Sequence, residues 1–216
     1  MSSDLQLTKF GHSAFGVTKN GASVIVDPGS LTDTIRFDGR ISAIVITHDH
    51  PDHWTQEWID RLTTADPVPI FTTPDVAEKI SASHIRTVTE NGKWDVDGFT
   101  LEFTPTTHAR VHNSIPAITN LTCFIDRTVM YTGDSLDRLA AAHPPVLAVP
   151  IGAPWMKLGE AIDFVLAAQP ERCFPVHDGV LSQAGRALAT GRISWAAEQH
   201  PGGVLLDLSD GESVPV

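Results

Sequence analysis

The most constraining stretch of the chain is Thr47-His48-Asp49-His50-Pro51-Asp52-His53-Trp54, an H-x-H-x-D-H cluster directly after the apolar run Ile41-Ser42-Ala43-Ile44-Val45-Ile46. Such a run reads as a buried strand, so the cluster lies where a core strand ends and a turn begins. Imidazole and carboxylate at this density are ligands for first-row transition metals, and nitrogen and oxygen donors without thiolate suit zinc, iron or manganese. His48 and His50 stand two apart on extended backbone, which projects both rings to one side, while Asp49 between them faces away. Pro51 turns the chain, and Asp52 and His53 re-aim toward the same space from the first turn of a helix expected over residues 55–62. A helix N-terminus disfavours a cation by only about 0.3–1 kcal/mol, against apparent binding energies of about 10–16 kcal/mol for structural zinc sites. Ligation dominates.

The cluster resembles the signature of the metallo-β-lactamase fold superfamily, whose members are mostly dinuclear metal hydrolases. In that superfamily the other ligands follow in order as a His, a bridging Asp and a last His, and this chain offers one of each at a strand exit. Phe99, Leu101 and Phe103 alternate along a hairpin strand that ends at Pro105-Thr106-Thr107-His108. The run Thr128-Val129-Met130-Tyr131-Thr132 enters Gly133-Asp134, where a glycine removes a side chain at a close backbone approach. Arg172-Cys173-Phe174-Pro175-Val176 delivers His177. A carboxylate has two oxygens with separate lone pairs, so Asp134 can touch two cations at once.

Two further residues belong to the surroundings of that centre. Gly11-His12-Ser13 resembles the G-H-S/A opening of the L-ascorbate-6-phosphate lactonase-like branch of the superfamily, which places His12 behind the ligands or facing substrate; a turn histidine with a local hydrogen bond reads equally well. Val24-Ile25-Val26 ends in Asp27-Pro28-Gly29. A carboxylate there is costly unless partnered, and metal-bound imidazoles donate their free N–H to such groups, so Asp27 is read as a hydrogen-bond partner of a ligand. The superfamily also carries an Asp at this place. The other reading is an ordinary Asp-Pro-Gly turn.

At 216 residues and 42% hydrophobic content the chain suits one domain, taken as residues 1–216. No basic region followed by an apolar core opens the sequence, and no apolar run approaches membrane-spanning length, so a cytoplasmic location is expected. Cys123 and Cys173 lie in separate strand-like runs and read as buried, reduced residues. The formal net charge of −11 argues against a nucleic-acid partner, since that affinity comes from neutralising phosphates with Lys and Arg. A small-molecule substrate is expected, with a homo-oligomer left open.

Between these landmarks the chain alternates strands and helices. The turn Asn20-Gly21 joins two early strands; helices are expected over residues 159–168 and 181–199, the latter with Trp195 buried, and Val204-Leu205-Leu206 closes a sheet. His84, His143 and His200 read as surface residues. The loop carrying Trp155 and Met156 can wall an apolar pocket or pack on the surface, and Arg110, His112 and Trp155 are candidate substrate contacts.

The resemblance implies an α/β fold with two facing mixed sheets and helices outside, a four-layer αβ/βα sandwich with all these strand exits on one rim. It also implies two divalent transition-metal ions, zinc foremost with manganese or iron as alternatives. One takes His48, His50 and His108, the other Asp52, His53 and His177, and Asp134 lies between, with Asp52 and Asp134 as the catalytic carboxylates. The implied chemistry is attack by a metal-bridging hydroxide on an ester- or lactone-type carbonyl of a small metabolite. A phosphodiesterase, a mononuclear iron oxidoreductase acting on sulfur compounds and a catalytically silent metal-binding module are the alternatives.

Overall fold

A computed structural model describes residues 5–136 and 143–216; residues 1–4, which bear on the expectation about a leader, lie outside the described residues. The first sheet opens as a meander of β1 (Gln6–Gly11), β2 (Ala14–Lys19) and β3 (Ala22–Val26). Asn20 and Gly21 take left-handed φ of 51° and 70°, the conformation that a two-residue hairpin turn requires. Three strands then add in parallel, β4 (Arg40–Val45), β5 (Ile70–Thr72) and β6 (Ile85–Thr87), with α1 (Gln56–Thr63) and α2 (Pro74–Ala77) as crossovers. The second sheet repeats the plan. Its antiparallel strands β7 (Gly92–Val96), β8 (Phe99–Thr107), β9 (Thr119–Ile125) and β10 (Val129–Tyr131) lead into the parallel set β11 (Val146–Pro150), β12 (Arg172–Val176) and β13 (Val204–Leu205), with α3 (Leu158–Ala168) and α4 (Gln183–Glu198) between them. The short strand β14 (Ser213–Pro215), which carries no strong sequence signal, returns to pair with β1 in the first sheet, so that among the described residues each sheet has seven strands.

The layers follow from strand periodicity. On β4, Ala43 and Val45 enter the core between the sheets while Ile44 and the following Ile46 pack against α1 and α2. On β11, Val146 and Ala148 face the same inter-sheet core, and Leu147 and Val149 face α3 and α4. Strands buried on both faces read as continuous apolar runs for this reason. Phe15 locks the two sheets together, edge-on to Tyr131 at 5.6 Å and to Phe174 at 5.3 Å between ring centroids. The result is the four-layer αβ/βα sandwich.

Topology gathers the strand exits. β8 and β10 flank the antiparallel β9 and therefore point the same way, and β11 and β12 run parallel to β10. On the facing sheet β3 and β4 are parallel neighbours. The two rims are stitched where Leu121 donates its backbone N–H to the Thr47 carbonyl at 2.8 Å and His48 bridges to Asn120.

Two expectations change. Trp195 is 49% exposed, because the buried stripe of α4 runs through Ala189, Ile193, Ala196 and Ala197, and a residue two after Ile193 points to the opposite side of a 3.6-residue helix. Asp52 and His53 precede α1 and are not on its first turn. Thr55 caps that helix, accepting the Trp58 N–H, and the turn before it closes when the N–H groups of His53 and Trp54 both bond to the His50 carbonyl.

Candidate metal centre

Two groups of donors meet at the rim. His48, His50, His108 and Asp134 form one, and His12, Asp52, His53 and His177 the other; within each, one ligand atom per residue lies within 4.8 Å of every other. The structure thus brings the seven expected ligands together, with His12 beside them. Asp134 stands between the groups. Its Oδ2 lies 3.3 Å from His108 Nε2, 3.9 Å from His48 Nε2 and 3.0 Å from His177 Nε2, while Oδ1 lies 3.3 Å from His53 Nε2.

Hydrogen bonds on the far ring nitrogens fix what the near ones can do. His108 Nδ1 faces the Ala109 carbonyl at 2.5 Å and His177 Nδ1 the Gly152 carbonyl at 2.7 Å. Carbonyls only accept, so both Nδ1 atoms carry the proton and both Nε2 atoms hold a lone pair. His53 Nδ1 is 2.7 Å from Asp27 Oδ2, and the Thr47 hydroxyl, donating to the same carboxylate at 2.7 Å, is left to accept from His48 Nδ1 at 3.0 Å. Asp27 also takes the Thr47 backbone N–H at 2.8 Å. Asp27 is therefore the buried hydrogen-bond partner of both His53 and Thr47, at a left-handed φ of 45°.

The near ring nitrogens and the carboxylate between them test the site for a cation. His53 Nε2, His108 Nε2, His177 Nε2 and Asp134 Oδ1 are all buried without a hydrogen-bond partner, a cost of about 1–3 kcal/mol for each such atom if nothing else meets it. His48 Nε2 faces His50 Nδ1 at 3.1 Å. Donors bonded to one cation at about 2.0–2.2 Å stand about 3 Å apart at a right angle and about 3.5 Å apart at a tetrahedral one, which brackets most of the contacts around Asp134. The donor set and its orphaned atoms fit transition-metal ions.

Charge differs across the centre. Burial pushes His48 well below the ordinary histidine value, with the neighbouring His53 adding to it, and burial lowers His50 as well. His53 goes the other way: burial alone would lower it, but the Asp134 and Asp27 carboxylates outweigh that and push it up to about 9. Burial works to raise Asp134, and the charge of the neighbouring His53 outweighs it, leaving Asp134 well below the carboxylate range. Asp52 is also held low against burial, first by its hydrogen bond with His12 at 3.2 Å and then by His53 and His177.

Several positioning residues carried no sequence signal. Asn120 is fully buried; its side-chain amide donates to Thr106 Oγ1 and the Thr132 carbonyl, and its oxygen accepts the Asp134 N–H at 3.1 Å. Gly133 (φ +59°) is required beside it, since an added Cβ would stand 2.2 Å from Asn120 Oδ1. Lys9, 1% exposed, binds Asp178 and Asp210, and Arg186 binds the other Asp178 oxygen, which anchors the turn after His177. Trp155 does more than wall a pocket, for its indole N–H donates to Asp134 Oδ2 at 2.8 Å.

Next to His108 opens a cleft of about 480 Å³ lined by Ala109, Arg110, Ala117, Ser135, Leu136, Trp155 and Phe164, with Glu160 and Asp163 also on its wall. Arg110 and Trp155 thus reach it; His112 does not, being exposed and turned to Ser114. His84 and His143 are exposed as expected, and Cys123 and Cys173 are buried free thiols, burial pushing the latter up to about 12.

A family model described as the Beta-lactamase superfamily domain matches residues 6–177. Protein Rv0786c of Mycobacterium tuberculosis is 30% identical over 202 residues, covering 88% of this chain and 92% of that protein. A UPF0173 metal-dependent hydrolase of Staphylococcus carnosus is 25% identical over 197 residues, 80% of this chain and 85% of the relative. Among solved structures, Igni18, a metallo hydrolase from the archaeon Ignicoccus hospitalis, shares the fold with a TM-score of 0.70 over 97% of each chain at 23% identity.

Proposed function

This chain belongs to the beta-lactamase superfamily and is a metal-dependent hydrolase within it; we propose that it uses two divalent transition-metal ions, one on each side of Asp134, on a small ester- or lactone-type substrate. The observation that carries this reading is the convergence of imidazole and carboxylate ligand atoms in two groups around one aspartate, several of them buried without a hydrogen-bond partner. In such a site the bound ions supply a water whose pKa falls toward about 7 and polarise the oxygen of the bond to be cleaved.

The chain's own residues set the rest. His48, His50 and His108 offer three ring nitrogens, and Asp52, His53 and His177 offer a carboxylate oxygen and two ring nitrogens. Asp134 links the groups, and Trp155 Nε1 steadies its Oδ2. Asp52 is better suited to anchoring than to taking a proton, because a carboxylate held this low is a weak base near neutral pH. The cleft beside His108 has the size of a small-molecule pocket; Trp155, Leu136 and Phe164 shed water from a bound substrate, and Arg110 is placed to hold a polar or anionic group. With the net charge of −11, this favours a metabolite over a nucleic-acid substrate.

Purified protein with its metals quantified, assayed on lactones, esters, amides and bis-p-nitrophenyl phosphate, tests the reading. Two transition-metal ions per chain and turnover of lactones or esters are expected. One iron per chain with oxygen uptake, or turnover of the phosphodiester alone, would overturn it.

A further inference from the structure

His12 falls inside the second donor group, and proximity alone would make it a fourth ligand there. Its hydrogen bonds say otherwise. The backbone N–H of Gly179 donates to His12 Nδ1 at 3.1 Å. An amide N–H cannot accept, so Nδ1 must keep its lone pair, and the neutral ring carries its single proton on Nε2. This is the opposite tautomer to His108 and His177, whose Nδ1 atoms face carbonyl oxygens. Nε2, the His12 atom aimed at the centre, has no lone pair to offer a cation.

We propose that His12 is a positioning residue and not a metal ligand: its Nε2–H is donated to Asp52 Oδ2, the oxygen that also faces His53 and His177 at 3.8 and 3.6 Å. The inference rests on the dinuclear reading above for its consequence in catalysis, but on hydrogen-bond geometry alone for the tautomer. With one lone pair of Oδ2 engaged by His12, the Asp52 carboxylate is held in a single rotation with the rest of that oxygen turned to the two ligand rings.

The arrangement is built. His12 is 1% exposed and sits at a left-handed φ of 47°, and its ring lies 4.2 Å from that of His177 between centroids. The His12 carbonyl accepts the His177 N–H at 3.1 Å, so the turn that delivers His177 also delivers the Gly179 N–H. That turn is held by the bonds of Asp178 to Lys9 and Arg186. A Cβ on residue 179 would stand 3.1 Å from His12 Nδ1, closer than a comfortable contact, so glycine lets the backbone N–H reach the ring.

Long-range proton–nitrogen correlation spectra of the zinc-loaded and metal-free protein read the tautomer directly. His12 is expected as the Nε2–H form in both, with His53, His108 and His177 as Nδ1–H forms when zinc is bound. His12→Asn, which tolerates the left-handed backbone but is too short to reach Asp52, is expected to keep the parent's metal content. Its kcat should fall by about 10–100-fold, the usual effect of losing a ligand's hydrogen-bond partner, with KM little changed, and the longer amide of His12→Gln should restore part of the rate. Loss of one metal equivalent in His12→Asn, or a zinc-bonded Nε2 on His12, overturns the proposal. A parent protein that binds a single metal or turns over none of the substrates contradicts the dinuclear reading instead, and the His12 tautomer in the same spectra still decides the role of that ring.

Discussion

The two donor groups do the same geometric job with different electrostatics. The first, His48, His50 and His108, has two of its rings pushed toward the neutral form by burial. The second is threaded through turns whose residues His12, Asp27 and His177 sit at left-handed φ of 47°, 45° and 60°, and it is charged, with Asp27 and Asp52 around a His53 raised to about 9. Non-glycine residues hold that conformation only where the surroundings over-determine it. The first group is thus ready for a cation, while at the second a proton on His53 occupies the place that a cation would take. Removing that proton at pH 7 costs about 3 kcal/mol of affinity, so the first group should fill before the second.

The largest effect that breaks this comparison is Asp134→Ala, which removes the residue common to both groups: activity should drop by at least about 10³-fold, and metal analysis should show both ions weakened. Next, His50→Ala should remove the first ion and the activity together while the second group still binds. Retention of full metal and rate would show that His50 is not a ligand. Asp27→Asn should weaken the second group more than the first, which it reaches only through Thr47, by about 10–100-fold in metal affinity, read by competition with a chelator.

The pH dependence sharpens the contrast further. His53 is raised in the folded protein, so its proton stabilises the metal-free fold fully below the unfolded value of 6.5, and that contribution is lost as pH rises through about 9. Metal uptake by the second group must expel this proton. Calorimetric titrations at pH 7.5 in buffers of different ionisation enthalpy should therefore show about one more proton released by the second ion than by the first, beyond what ionisation of the bound water contributes. Equal release from both would erase the distinction. The smallest effect belongs to Trp155→Phe, which keeps the ring and loses the N–H to Asp134; metal content should be unchanged, with substrate preference or rate altered by about tenfold or less.

What could be read from the sequence divides along the same line. His48, His50, His108, Asp134 and His177 follow apolar runs, and strand periodicity with the superfamily's ligand order is enough to find them. Asp27 is legible because a carboxylate ending a buried strand needs a partner. Asn120 and Thr47 sit within or just after strands and look like ordinary polar residues there; their work is to bond groups distant in sequence, the Asp134 N–H and the Asp27 carboxylate. Lys9 alternates as an exposed strand residue would, yet is buried because Asp178 and Asp210 come from the far end of the chain. Trp195 illustrates the converse: a large aromatic in a helix suggests a core residue, but its angular position relative to Ile193 decides its exposure. The tautomer of His12 depends on one amide hydrogen 167 residues away, which no local pattern encodes.

The most direct test of the central claim is anomalous diffraction from crystals of the metal-loaded protein. Two peaks are expected, one among His48, His50 and His108 and one among Asp52, His53 and His177, with Asp134 oxygens bonded to both. A single peak, or an Asp134 turned away from the metal, would contradict it.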